Sequence, residues 1–231
     1  MLKLAIPCEN DGNIEILVNL VLFIHLISVT LHQIKFTMEI KKAVTVYAES
    51  TPNPASMKFV LNFKIVDEGS VEYNSQAQAG NCPLAYQLLS FSGISSVFIT
   101  SNYITLSKNS ELDWHEQIPI LREFIRNYFM NGEPVFTGPR EQIADPSSEK
   151  TRSSSALESK IIETLDEYVK PAVEQDGGAI HFKSFHEGKV TVTLRGACSG
   201  CPSSTITLKN GIENLLKQFV PEVTEVVAEN E

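Results

Sequence analysis

The sequence predicts an α+β protein made of two small domains, each with helices layered on strands, joined by a flexible linker. Short runs of β-branched and aromatic residues alternate with amphipathic helical patterns in both halves of the chain. Between the halves, residues 132–155 concentrate Gly, Pro and Ser and contain few apolar side chains, as flexible linkers do. The 231 residues suffice for two small domains with cores of their own. We therefore place the N-terminal domain at residues 38–131, the linker at 132–155 and the C-terminal domain at 156–231.

The N-terminal domain is expected to be a compact α+β unit of several strands and two helices. Its predicted strands are residues 44–48, 57–63, 97–99 and 103–106, the last two forming a hairpin. Pro83 is expected to open a short helix that ends by Gly93, because the N–H that proline lacks would have no partner in a first helical turn. Residues 114–129 repeat apolar side chains at helical spacing, so this second helix should pack one face on the sheet.

The C-terminal domain is expected to run helix, strand, strand, cysteine loop, helix, strand. Ser155 and Glu158 fit a capping box, in which each side chain satisfies a backbone N–H of the other residue. Pro171 predicts a kink or an early stop in the last turn of that first helix. His181 alternates with apolar neighbours and is therefore expected on the opposite, solvent-exposed face of its strand. The predicted strands are residues 179–185, 189–194 and 223–227.

Residues 1–37 differ from the rest of the chain. The run 16–34 has no charged residue and is just long enough to span a membrane, but it contains several polar side chains. The first arginine is Arg122, whereas an organellar transit peptide should be rich in arginine. We interpret residues 1–37 as an upstream extension or a marginal apolar segment, with translation starting at Met38. We give Cys8 no function and predict a cytoplasmic protein with no membrane partner.

Composition and charge exclude several functions. Nineteen basic residues against twenty-eight acidic ones give a net charge of −9, so nucleic acid is not an expected partner. Four cysteines in a chain of this length do not form a disulfide scaffold. No general base, nucleophile or substrate pocket is visible, so we predict no catalytic residue and no enzyme. Cys82 is a lone thiol, and lone thiols are more often structural than catalytic.

The C-x-x-C formed by Cys198 and Cys201 is the one motif that carries chemistry. Two thiolates at this spacing can face one metal centre from a single turn of chain. Flanking glycines allow sharp turns, and the next helix begins directly after the motif, so its partly positive N-terminus should favour thiolates. Arg195 is expected to add to that positive field. The loop therefore suits metal, iron–sulfur or redox chemistry.

The number of available ligands favours a shared metal centre. A structural zinc site or an iron–sulfur cluster takes four protein ligands, whereas this loop offers two. A second copy of the loop across a two-fold axis supplies the other two, which predicts a homodimer held by the metal centre. A centre with only two ligands per chain is easily released, and this suits delivery more than electron transfer.

Both domains also resemble a known family. Gln175-Asp176-Gly177-Gly178 and the loop from Gly196 to Pro202 resemble the C-terminal domain of NifU-like iron–sulfur scaffold proteins. The N-terminal domain resembles that of Nfu-type members through its stretches 49–54, 57–60, 83–85 and 93–98. The resemblance implies a 4Fe–4S cluster bridging two subunits, with Cys198 and Cys201 as its ligands. It also implies transfer to apo iron–sulfur client proteins after loading from an upstream cluster donor. Cys82 is not a ligand position of the family.

Two other functions remain open from the sequence alone. A thioredoxin-like thiol–disulfide oxidoreductase also places C-x-x-C at a helix N-terminus, but it needs a βαβ start and an exposed first cysteine. A structural zinc-bridged dimer would hold its metal permanently and unfold when the metal is chelated.

Overall fold

The computed structural model describes residues 43–109, 111–137, 155–199 and 202–230, with the backbone alone at 202–205 and 230. Val44–Glu231 form one compact unit, within which two sheets, one in each predicted domain, pack together. The predicted α+β class with two small domains is confirmed. The run 16–34 and most of the predicted linker (138–154) lie outside the described residues. No helix in the described ranges is long and apolar enough to cross a membrane.

The N-terminal domain is a five-stranded antiparallel sheet covered on one face by helices. Its elements are β1 (Val46–Ser50), β2 (Ser56–Leu61), β3 (Ser70–Tyr73), a 3-10 turn (Gln78–Asn81), α1 (Pro83–Leu88), β4 (Ile94–Thr100), β5 (Tyr103–Lys108) and α2 (Trp114–Met130). The strand order is β1-β2-β5-β4-β3. The hairpin and both helices were predicted, whereas β3 and the 3-10 turn were missed. Strand β3 has only four residues and follows a turn-rich stretch, so its period-two pattern is too short to detect.

The two faces of this sheet differ in what covers them. The inner face carries a buried apolar core, which packs against the buried side of α2 through Trp114, Leu121 and Ile125. The opposite face, here called the outer face, is formed by Lys58, Ser70, Glu72, Phe98, Tyr103 and Thr105. It packs against the C-terminal domain. The alternation of side chains along each strand therefore builds one core and one contact surface.

The C-terminal domain follows the predicted order of elements. Its elements are α3 (Ala156–Thr164), a π-helical turn (Leu165–Val169), α4 (Lys170–Gln175), β6 (Gly178–His186), β7 (Lys189–Gly196), α5 (Pro202–Phe219) and β8 (Glu225–Asn230). Strand β7 pairs antiparallel with β6 and parallel with β8. The capping box of Ser155 and Glu158 is present. The irregularity predicted at Pro171 occurs just before it, as the π-helical turn, because proline cannot donate the regular helical hydrogen bond.

His181 corrects one prediction. It lies on the face of β6 opposite the core residue Ile180, as the alternation requires, but only 7% of it is exposed. The N-terminal domain covers that face, and His181 Nε2 lies 3.3 Å from Ser70 Oγ. The pattern gave the direction of the side chain correctly, whereas its exposure depended on the neighbouring domain.

Candidate metal centre

The cysteine loop connects the end of β7 to the start of α5. Of the two predicted ligands, Cys198 is described and Cys201 lies outside the described residues. Cys198 follows Gly196, whose φ of +67° turns the chain sharply out of the sheet. In the segments that the structure describes, no three His, Cys, Asp or Glu side chains converge on a possible metal position.

Two glycines at the start of β6 make room for the loop. Gly177 has a φ of +84°, and its carbonyl oxygen accepts a hydrogen bond from the Ala197 N–H at 3.2 Å. A Cβ at Gly178 would lie 2.7 Å from Cys198 Sγ, closer than atoms of these sizes can approach. The Asp176-Gly177-Gly178 sequence therefore serves the site twice: the first glycine takes a left-handed turn, and the second lets the sulfur pack against the backbone.

Cys198 is held as a thiol in this conformation. Only 8% of the residue is exposed, and burial together with the nearby Asp176 carboxylate raises the pKa of Cys198 to about 12. The sequence predicted the opposite, namely a thiolate favoured by the start of α5. Burial removes the sulfur from water, which disfavours the charged form, and the negative charge of Asp176 disfavours it further. Arg195, expected to strengthen a positive field, is itself buried at 7% exposure.

A cavity of about 430 Å³ lies beside the sulfur. Cys198 packs on one side against the apolar core of its own domain and faces this cavity on the other. Asp176, Thr207 and Leu208 line it from the C-terminal domain, and Pro52 and Asn53 complete its wall from the N-terminal domain. The first predicted ligand therefore borders a space in which a metal centre could be held.

Two N-terminal residues contact the loop, and sequence reasoning missed both. Asn53 Nδ2 donates a hydrogen bond to the Ala197 carbonyl oxygen at 3.0 Å. The Glu72 carboxylate accepts one from the Gly196 N–H at 3.1 Å and lies 3.5 Å from Ser199 Oγ. One signal was available: residues 97–99 are apolar without alternation, which is typical of a strand covered on both faces.

Cys82 has a different environment. It is fully buried in the core of the N-terminal domain, directly before α1. Burial raises the pKa of its thiol, and hydrogen bonds with the Ala85 backbone and the Tyr73 hydroxyl partly offset that effect.

Several known proteins are similar to this chain over most of its length. The mitochondrial NFU1 iron-sulfur cluster scaffold homolog of Homo sapiens is 37% identical over 179 residues, which is 77% of this chain and 69% of that protein. A NifU-like protein of Schizosaccharomyces pombe is 33% identical over 198 residues, covering 84% and 75%. Mitochondrial NifU-like protein 4 of Arabidopsis thaliana is 32% identical over 191 residues, covering 82% and 67%.

These names correct the predicted location. Human and plant relatives are both named as mitochondrial proteins, which points to mitochondria, so the prediction of a cytoplasmic protein is wrong. That prediction depended on the composition of residues 1–37, in which the absence of arginine was given too much weight.

Two stretches of the chain match family descriptions. Residues 161–227 match the NifU-like domain, and residues 46–132 match the family described as scaffold protein Nfu/NifU N terminal. The chain therefore belongs to the Nfu/NifU family of scaffold proteins.

Proposed function

We propose that this protein is an iron–sulfur cluster carrier, which holds a 4Fe–4S cluster between two copies of the chain and passes it to apo-proteins. The observation that carries the proposal is the position of Cys198: it is the first cysteine of a C-x-x-C and borders a cavity at the end of β7. Cys198 and Cys201 are the proposed ligands. The relatives named as iron-sulfur cluster scaffolds support the same class of cargo.

The number of ligands supports sharing between two chains. A 4Fe–4S cluster binds four thiolates, and the C-x-x-C offers two. Around Cys198, the described residues contain no group of three His, Cys, Asp or Glu side chains that could complete a site within one chain. Two loops related by a two-fold axis supply four thiolates, so we propose a homodimer that forms on cluster binding.

Transfer requires only ligand exchange. A thiolate of the client protein attacks one iron and forms an Fe–S bond, and the Fe–S bond to Cys198 or Cys201 breaks. The departing sulfur takes up the proton that the client thiol released, so charge balances and no electron is transferred. Repetition at all four irons moves the cluster whole, and the dimer loses the centre that holds it together. The proposed role is therefore non-enzymatic.

The surroundings of Cys198 argue against thiol–disulfide exchange. A thioredoxin-like enzyme attacks with an exposed cysteine of lowered pKa. Cys198 is buried, and its pKa is raised to about 12. A structural zinc-bridged dimer would use the same four sulfurs. The identity of the bound metal, measured in the following experiment, distinguishes it from a cluster carrier.

Native mass spectrometry after anaerobic reconstitution with iron and sulfide tests the proposal. We expect a dimer with four irons and four sulfides from the natural chain, and no cluster from the Cys198→Ser variant. The matched control is Cys82→Ser, which changes the other described thiol to the same residue and should keep the cluster. A monomer without cluster, or a dimer that retains only zinc, contradicts the proposal.

A further inference from the structure

The outer face of the N-terminal sheet is buried although it contributes nothing to that domain's core. Lys58, Ser70 and Thr105 are 8%, 6% and 1% exposed, and Phe98 is fully buried. The core of the domain lies on the other face. On a sheet with one solvated face, polar side chains at these positions would remain in water. The C-terminal domain therefore supplies their cover.

One row of side chains across four strands makes much of this contact. Lys58 lies opposite Thr105, Thr105 opposite Phe98, and Phe98 opposite Glu72. The row begins with a positive charge and ends with a negative one. Each end meets backbone groups of the complementary polarity in the C-terminal domain.

The positive end of the row holds the segment that leads into β6. Lys58 Nζ donates to the carbonyl oxygens of Glu174 and Gln175, both at 3.2 Å, at the end of α4, where the Glu174 carbonyl also accepts the Gly177 N–H. Thr105 Oγ1 donates to the Gly177 carbonyl oxygen at 2.6 Å. The same turn makes room for Cys198, so the N-terminal domain fixes the backbone against which the sulfur packs.

Tyr103 extends this contact beside the row. Its hydroxyl donates to the Gly178 carbonyl oxygen at 2.8 Å, and its ring packs with Phe98 and Ala179. Phe98 also approaches the loop, because a Cβ at Gly196 would lie 2.9 Å from the Phe98 ring. The apolar part of the contact is therefore small and centred on the start of the cysteine loop.

The negative end of the row holds the cysteine loop itself. The Glu72 carboxylate accepts the Gly196 N–H and faces the Ser199 hydroxyl, while Asn53 donates to the Ala197 carbonyl oxygen. These contacts lie on both sides of Cys198 in the chain. A carboxylate thus occupies loop donors that an anionic cluster would otherwise use, and Pro52 and Asn53 close the cavity beside the sulfur.

We infer that the N-terminal domain is an intramolecular cover for the cysteine loop, closed in the cluster-free chain and displaced when the cluster is taken up. This inference rests on the proposed function. A bridged cluster needs two loops to face each other at bonding distance, whereas the outer face holds the loop against its own chain. Most of the contact consists of hydrogen bonds to backbone atoms around a small apolar centre, which is typical of domain contacts that separate.

Closure of the cover lowers the rate of cluster uptake, because only the fraction of chains that are open can take up a cluster. When only the open chain binds, the apparent affinity equals the affinity of the open chain multiplied by the fraction of chains that are open. Weakening of the contact between the outer face and the C-terminal domain should therefore increase both the accessibility of Cys198 and the rate of cluster uptake.

The test uses the full chain with Tyr103→Phe and Thr105→Val combined. These changes remove two hydroxyls that donate to Gly178 and Gly177 and leave the core face of the sheet unchanged. The matched control is Tyr47→Phe, which removes the hydroxyl of a tyrosine that is 63% exposed. Because one hydrogen bond contributes about 0.5–1.5 kcal/mol, we expect roughly tenfold faster alkylation of Cys198 by N-ethylmaleimide, read by peptide mass spectrometry of the cluster-free chain.

Cluster uptake from iron and sulfide is then timed in the same proteins. A rise in both rates relative to Tyr47→Phe supports the inference, and Glu72→Gln should change both rates in the same direction. Equal alkylation in variant and control overturns it, because the loop is then not covered in solution. Faster alkylation with slower uptake also overturns it, because the N-terminal domain would then assemble the site. If neither the natural chain nor any variant takes up a cluster, the proposed function fails, and the role of the cover fails with it. The alkylation rates then still show whether the two domains are in contact in solution.

Discussion

Cys82 and Cys198 are both buried thiols, but the groups that bury them belong to different kinds of structure. Cys82 lies in the core of the N-terminal domain, where every neighbour is part of the same fold. Cys198 packs on its own domain on one side and borders a cavity closed by Pro52 and Asn53 on the other. Burial raises the pKa of both thiols.

The difference teaches that exposure alone does not separate a structural cysteine from a functional one. Removal of Cys82 from its surroundings requires the domain to unfold. We infer that exposure of the cavity side of Cys198 requires only that two folded domains move apart. The free energies of such openings range from near zero to the full stability of a domain, so the two thiols should differ greatly in their access to reagents.

The largest expected effect is the ratio of the two native-state alkylation rates. Because domain unfolding costs about 5–15 kcal/mol, we expect Cys82 to react at least roughly a thousandfold more slowly than Cys198. Peptide mass spectrometry after timed exposure of the cluster-free chain to N-ethylmaleimide measures both rates in one sample. In concentrated urea the rates should become similar. A native ratio near one would remove the distinction between the two regions.

The expected effect of intermediate size concerns two phenylalanines on opposite faces of the N-terminal sheet. Phe59 and Phe98 are both fully buried, Phe59 in the core and Phe98 on the outer face. Phe59→Ala should lower the free energy of unfolding of the N-terminal domain by about 3–5 kcal/mol. Phe98→Ala should lower the same free energy of unfolding by less than half as much, because the neighbours of Phe98 lie largely in the contact between the two domains. Urea unfolding followed by fluorescence of Trp114, the single tryptophan, measures both.

Phe98→Ala should also accelerate alkylation of Cys198, whereas Phe59→Ala should act on it only through loss of the fold. Equal losses of stability for the two variants would mean that the outer face belongs to the core of the N-terminal domain.

The smallest expected effects come from two glycines in the C-terminal domain. Gly196 has a φ of +67°, and a Cβ there would lie 2.8 Å from the Gly177 carbonyl oxygen. Gly196→Ala should therefore destabilise the loop by at least about 1–2 kcal/mol and expose Cys198. Its control is Gly211→Ala in α5, where a Cβ meets nothing within 4 Å. That change should stabilise the domain by roughly 0.5–1 kcal/mol.

Urea unfolding followed by circular dichroism, together with alkylation of Cys198, distinguishes the two glycines. A stable Gly196→Ala variant with an unchanged alkylation rate would mean that the left-handed turn is not needed to hold the loop.

Much of the fold was predictable because it depends on local physics. The capping box at Ser155, the helix opened by Pro83 and the hairpin after β4 each result from interactions within a few residues. Strand β3 was missed because four residues are too few for a pattern. Cys198 could be predicted as a ligand because the C-x-x-C and its glycines are contiguous in sequence.

The contacts made by Glu72 and Asn53 were not predictable in the same way. Glu72 is 124 residues from Gly196, and Asn53 is 144 residues from Ala197. A charged side chain in a short strand and an asparagine in a turn are ordinary features of solvated surfaces, so nothing local marks them as neighbours of the cysteine loop.

The sequence by itself determined the order of elements in the C-terminal domain, the direction in which His181 points and the position of the cysteine loop, because periodicity, capping and turn chemistry act locally. Only the tertiary structure decided what covers each face. His181 points away from its own core as predicted, yet it is buried, and Cys198 sits before a helix as predicted, yet it is held as a thiol. Burial and pKa depend on atoms that are distant in sequence, and those atoms meet only when the two sheets pack.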